Sequence, residues 1–131
     1  MITALYASLL ALWFVFLSMR VIALRGNPMF RFLILGTSPE EMLERAVRAH
    51  GNFAEYAPIM LILLYLLETV PAVSVSHAAL HALGGSFLLG RVMHGVCFGF
   101  MTFSRPLRIG GTALTLLPLV GAAIPLLILV V

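Results

Sequence analysis

Apolar residues run through this chain in four long blocks, roughly residues 2–24, 53–70, 75–102 and 109–131. None alternates polar with apolar positions, as the wall of a membrane barrel would. Each approaches the ~20 residues that an α-helix needs to cross a bilayer. Lipid leaves no water to satisfy a backbone, so only helices or closed barrels can span it. The pattern therefore predicts an all-α membrane protein, a bundle of four transmembrane helices in a single domain over residues 1–131. The second block has a polar extension before it. Ser38-Pro39-Glu40-Glu41 reads as a helix start: Ser38 caps, Pro39 takes the first helical position and Glu41 completes a capping box. The second helix is thus expected over residues 39–70. The connections are GNPMFRFLILGTSP (26–39), ETVPAVS with Pro71 as breaker, and FSRPLRIGG.

Composition agrees. The chain is 62% hydrophobic and 10% charged, with a mean hydropathy of +1.11, whereas a soluble domain carries about 25% charged residues. No length remains for a separate soluble domain. The net charge of +3 comes from eight arginines against five glutamates, with no Lys or Asp. On a membrane protein this speaks of topology, not of nucleic acid. Arg20, Arg25, Arg31, Arg45 and Arg48 flank the first connection and Arg105 and Arg108 lie in the third, while the second has none. The positive-inside rule then places the first and third connections in the cytoplasm and both termini outside. The N-terminal block lacks a basic n-region and runs straight into Arg20 and Arg25, which predicts a retained first helix and not a cleaved signal. A lone Cys97 excludes an internal disulfide.

The mouth of the second helix reads RAHGNFAEYAP, residues 48–58. At ~100° per residue, Glu41, Arg45, Arg48, Asn52, Glu55 and Tyr56 fall within an arc of roughly 100°, with His50 opposite. Helical ion pairs such as Glu41–Arg45 or Arg48–Glu55 would explain part of this stripe. They explain Asn52 and Glu55 poorly, since both lie where the apolar run begins. In the third helix Arg91 sits inside FLLGRVMHGVCF and shares a face with Phe87, His94 and Phe98. An Arg at mid-membrane costs ~2.5–3.5 kcal/mol on insertion scales and usually has a partner inside the bundle. Glu55 or a ligand carboxylate is the natural one; an interhelical pair or a subunit contact is the structural alternative.

Arg48, Asn52, Glu55 and Tyr56, followed by Pro58, resemble the second-helix signature of the MAPEG family (membrane-associated proteins in eicosanoid and glutathione metabolism). GRVMH, residues 90–94, is similar to that family's third-helix segment. The resemblance covers all four spans and looks like the bacterial branch, in the inner membrane. It implies a homotrimer with glutathione bound between subunits near the cytoplasmic face. Contacts to glutathione would fall to Arg48, Asn52, Glu55 and Tyr56, with Arg25, Arg91 and His94 contributing. An Arg near the start of the fourth helix would activate the thiol; Arg108 is the better match and Arg105 the second. The chemistry fits: arginines suit the two carboxylates of glutathione, Glu55 its ammonium, and Asn52 can donate and accept. Some eicosanoid-pathway members carry Tyr on the third-helix binding face, where Phe87 and Phe98 stand here, so eicosanoid chemistry is not expected.

The expected function is a glutathione transferase or peroxidase acting on an apolar or lipid-like second substrate from the membrane lipid. A non-catalytic lipid-binding or scaffold member of the same fold is the first rival. A small proton-coupled multidrug transporter is the second, disfavoured because Glu55 and Glu68 lie near opposite ends of their helix. No metal site is expected from His77 and His81, which are spaced i,i+4 without a third ligand. Cys97 reads as a packed thiol, and Gly95-x-x-x-Gly99 as a close helix contact.

Overall fold

The computed structural model describes residues 1–35, 39–101 and 103–130. Four α-helices follow one another: α1 (Ile2–Leu24), α2 (Pro39–Thr69), α3 (His77–Phe100) and α4 (Arg105–Val130). The first three agree closely with the hydropathy blocks. The cap expected of Ser38 falls outside the described residues. The first connection holds a short 3-10 helix, Pro28–Leu33, that the apolar pattern does not show; the Asn27 side chain caps it by accepting the Met29 N–H at 3.0 Å. The fourth helix begins four residues before the expected 109. Its first turn closes when the Arg108 N–H donates to the Ser104 carbonyl at 3.0 Å. Arg105 and Arg108 therefore project from a helix and not from a loop. Pro106 is no obstacle, because a first turn has no use for its missing N–H.

Helices α1, α3 and α4 are each long and apolar enough to cross a membrane. The longer α2 is more polar, since its first half carries the stripe. Neighbours run antiparallel. The start of α1 meets the end of α2, where Glu68 accepts the N–H groups of Ile2 and Thr3, the latter at 2.8 Å. Beside it the Tyr6 hydroxyl donates to the His81 carbonyl at 3.0 Å. At the other end Arg20 of α1 donates to the Gly99 carbonyl at 2.7 Å, and Arg45 of α2 donates to the Cys97 carbonyl at 3.0 Å and to that of Met101. Helices α2 and α3 form the middle; α1 packs on both from one side and α4 from the other.

A core of Leu10, Leu17, Phe53, Met60, Leu64, Leu80 and Phe87 runs along the α1–α2–α3 seam. The α3–α4 contact is tighter still and depends on glycine. A Cβ on Gly90 would lie 2.7 Å from the Leu114 carbonyl carbon, and one on Gly111 would lie 3.0 Å from the His94 nitrogen. Gly95 plays the same part against Trp13, whose ring would stand 2.8 Å from a Cβ added there, as its small-residue pattern predicts. Gly90→Leu must push α4 away from the face that carries Arg91 and His94. It is expected to destabilise the protein by at least ~1–3 kcal/mol, the range for overpacked cores, read as a fall in the thermal unfolding midpoint in detergent.

Candidate functional site

The polar stripe of α2 and the Arg91 face of α3 meet. Arg91 is 2% exposed, and its Nη1 donates to Asn52 Oδ1 at 2.8 Å and to the Asn52 carbonyl at 3.3 Å. Its guanidinium carbon lies 5.3 Å from the Tyr56 ring centre and 5.9 Å from that of Phe87. The expected partner Glu55 is not the one used: an amide holds Arg91, and Glu55 points outward, exposed. The difference follows from helix geometry. Asn52 lies within the stripe and meets Arg91, whereas Glu55 lies about 60° further round the helix, at the outer edge of the stripe.

Two hollows flank this junction. The larger is a surface groove of about 320 Å³ lined by Arg48, Gly51, Asn52, Glu55, His94 and Phe98. The smaller is a chamber of about 40 Å³ between α2, α3 and α4, to which Tyr56, Arg91, Thr112 and Thr115 contribute. Asn52 and His94 belong to both and form the wall between them. His94 is fixed by stacking on Phe98 at 4.5 Å. Phe98 also carries Arg108, 5.7 Å away, and Arg45, 5.8 Å away. Arg108 thus stands beside the groove wall; among the described residues Arg105 makes no such contact.

The ion pairing of the stripe differs from the sequence expectation. Among the described residues the salt bridge is Glu44–Arg48 at 3.0 Å, with both side chains about 70% exposed. Such a pair contributes little, ~0.3–0.5 kcal/mol, and opens readily. Arg45 is not paired with Glu41; it caps the end of α3, where a cation meets orphan carbonyls.

Arg25 lies elsewhere, at the end of α1, and lines neither hollow. His50 sits 3.0 Å from Ser18 Oγ and stacks on Phe14. It faces away from Asn52 and Glu55. Arg20, which the sequence marks only as a topology signal, is fully buried and lies 4.2 Å from the Phe100 ring centre. A hint of this is present in the sequence: Leu17, Val21 and Leu24 flank Arg20 at core spacing. Thr112 and Thr115 give no such signal in an apolar helix.

The MAPEG family model matches residues 3–128. The chain belongs to the MAPEG family. Two relatives described as inner membrane protein YecN, from Escherichia coli strains K12 and O6:H1 CFT073, are each 36% identical over 94 residues, covering 72% of this chain and 67% of theirs. No solved structure matches. The MAPEG chain is thus an integral membrane protein in which Arg48, Asn52, Glu55 and His94 line one groove, with Tyr56 and Arg91 in the smaller hollow beside it. Cys97, the other reactive group, is buried with its thiol 3.4 Å from the Ser104 carbonyl, the environment of a packed thiol.

Proposed function

We propose that this MAPEG protein binds glutathione in the Arg48–Asn52–Glu55–His94 groove and uses it as a transferase or peroxidase toward apolar electrophiles or lipid hydroperoxides. The observation that carries the reading is the charge layout of the groove. A cation, a carboxylate and an amide line one hollow, with a second cation, Arg108, on its aromatic wall. Glutathione is a tripeptide zwitterion with two carboxylates, one ammonium and one thiol. Arg48 suits a carboxylate, Glu55 the ammonium, and Arg108 the thiol. The groove opens toward the end of the bundle where Arg20, Arg25, Arg45, Arg48, Arg105 and Arg108 gather. The positive-inside rule makes this the cytoplasmic side of a bacterial inner membrane, with both termini outside. Calorimetry with glutathione on the detergent-solubilised protein tests the reading, and absence of binding at millimolar concentration overturns it.

The groove is half a site. Arg48 and Glu55 are exposed in the protomer, as are many apolar side chains of α1 and α4. A homotrimer would close the groove with a neighbouring α1 and could supply the Arg25 that the protomer keeps away. Native mass spectrometry of the purified protein is expected to give a trimer, and a stable monomer or dimer counts against it. The transporter reading loses ground here: proton coupling needs an acid deep in the membrane, and Glu55 and Glu68 lie toward opposite ends of the membrane part of α2, with Glu40, Glu41 and Glu44 in its first turns. A binder without chemistry is the outcome if glutathione binds but neither an aryl halide nor a lipid hydroperoxide turns over.

A further inference from the structure

One arginine of the α2 stripe is not used by the groove. Arg45 shares a face with Arg48 and Asn52 but lines neither hollow. Its guanidinium turns to the end of α3. The last four carbonyls of a helix have no partner within it, and α3, which ends at Phe100, carries no basic residue in its own last turn. Two arginines from other helices meet these carbonyls, where a cation is also favoured by the helix dipole. Arg20 of α1, fully buried, donates to the Gly99 carbonyl. Arg45 of α2, half-buried, donates from a single nitrogen, Nη2, to the carbonyls of Cys97, at 3.0 Å, and of Met101.

The contact with Met101 reaches beyond α3. Met101 is extended (φ −119°, ψ 150°) and starts the connection to α4. Three residues on, the Ser104 carbonyl accepts the Cys97 thiol at 3.4 Å and the Arg108 N–H at 3.0 Å. The connection is therefore held at two points, to α2 at Met101 and to α3 at Ser104. Phe98 adds a third link, since Arg45 and Arg108 both lie against its ring, at 5.8 and 5.7 Å. We propose that Arg45 is a positioning residue: it latches the α3–α4 connection so that Arg108 stands beside the groove, and it does not itself touch glutathione. The consequence for a bound thiol rests on the glutathione reading above, whereas the latch does not.

Cys97 is the single cysteine of the chain and is buried, so it reports on the connection without any ligand. Arg45→Met keeps an unbranched stem and removes every donor. In the full chain in detergent, without glutathione, alkylation of Cys97 by N-ethylmaleimide should become at least about tenfold faster, the effect on a local opening of losing a hydrogen bond to a charged group. Loss of a nearby cation alone would slow the reaction, because it favours the protonated thiol. With glutathione saturating, the pH at which its thiol ionises, read by ultraviolet absorbance, should rise by about one unit, a tenfold loss of thiolate. The affinity should stay within a factor of about two to three, as for a change remote from the ligand. Arg45→Lys should restore both readouts, because one nitrogen makes both hydrogen bonds and an ammonium can replace it; a packing role of the stem would not separate Lys from Met. An unchanged alkylation rate in folded Arg45→Met overturns the latch. A faster rate with an unchanged thiol pKa overturns its link to Arg108. If the wild type binds no glutathione, or binds it as a thiol, the functional reading fails and takes that link with it, while the alkylation rate still decides the latch. If Arg45→Met does not fold, Arg45→Gln, with a neutral amide in place of the cation, is measured instead, and an unchanged rate there overturns the proposal.

Discussion

Glu55→Gln is expected to weaken glutathione binding by about 10- to 100-fold while leaving the fold intact. Glu55 is exposed and makes no ion pair among the described residues, so its removal leaves no buried partner stranded. What is lost is its interaction with the ligand. A carboxylate facing an ammonium in a groove partly screened from water makes a charge-assisted hydrogen bond, for which ~1.5–3 kcal/mol is typical. Glutamine keeps the shape and an acceptor oxygen but not the charge. His50→Gln is the control. His50 lies on the opposite face, against Ser18 and Phe14, and its replacement should leave the affinity within a factor of about two, the range of a surface change remote from the site. Calorimetry on the two variants and the wild type decides the matter. Equal losses in both would mean that Glu55 does not hold the ammonium.

The Glu44–Arg48 pair bears on the same measurement. Arg48 must leave Glu44 to reach a ligand carboxylate, and the weakness of an exposed i,i+4 pair makes that exchange easy. Adjacent Glu40, Glu41 and Glu44 lower the net positive charge at the mouth of the groove, so rising salt screens attraction and repulsion alike.

The four helices are legible in the sequence because lipid permits so few backbones: long apolar blocks have one reading when no alternation is present. The stripe of α2 is legible because helical spacing fixes which side chains share a face. Which of them touch α3 is not, since that depends on the rotation of two packed helices. The close approach of Gly90 and Gly111 seats α4 against α3, on the helix whose Arg91 donates to Asn52 while Glu55 stays outside. The roles of Arg20 and Arg45 stay hidden for a related reason. Both satisfy helix-end carbonyls across the bundle, a pairing between residues 79 and 52 positions apart that no local pattern announces. The start of α4 lies earlier than the pattern suggests because two arginines in a first turn oppose the helix dipole, and local preference argues for a loop there. Their cost at that end of α4 makes a compensating anionic group nearby favourable, and Phe98 directs Arg108 to the groove where such a group would sit.

Arg108 is therefore the residue whose loss should change chemistry more than binding. The nucleophile is the thiolate, and a free thiol has a pKa near ~8.5. A guanidinium beside the sulfur favours the charged form, and each unit of lowering corresponds to ~1.4 kcal/mol. In a groove closed by a neighbouring subunit one such cation would count for more than in bulk. With glutathione bound near neutral pH, the wild type is expected to show the ultraviolet absorbance of a thiolate, with release of a proton to buffer on binding. Arg108→Ala should abolish that absorbance and lower kcat toward an aryl halide by ~10²–10³, as removal of one electrostatic stabiliser does. Sulfur would still attack carbon and halide leave, but from the small thiolate fraction of an unassisted thiol. The affinity for glutathione should change much less, because Arg48 and Glu55 hold the charged ends elsewhere. Arg105→Ala is the control from the same turn of α4, lacking the contact with Phe98. If Arg105→Ala removes the thiolate and Arg108→Ala does not, the activating cation is one turn of helix away from the place assigned here. If bound glutathione remains a thiol in the wild type, the groove is a binding site without a nucleophile, and the chain acts by holding its ligand.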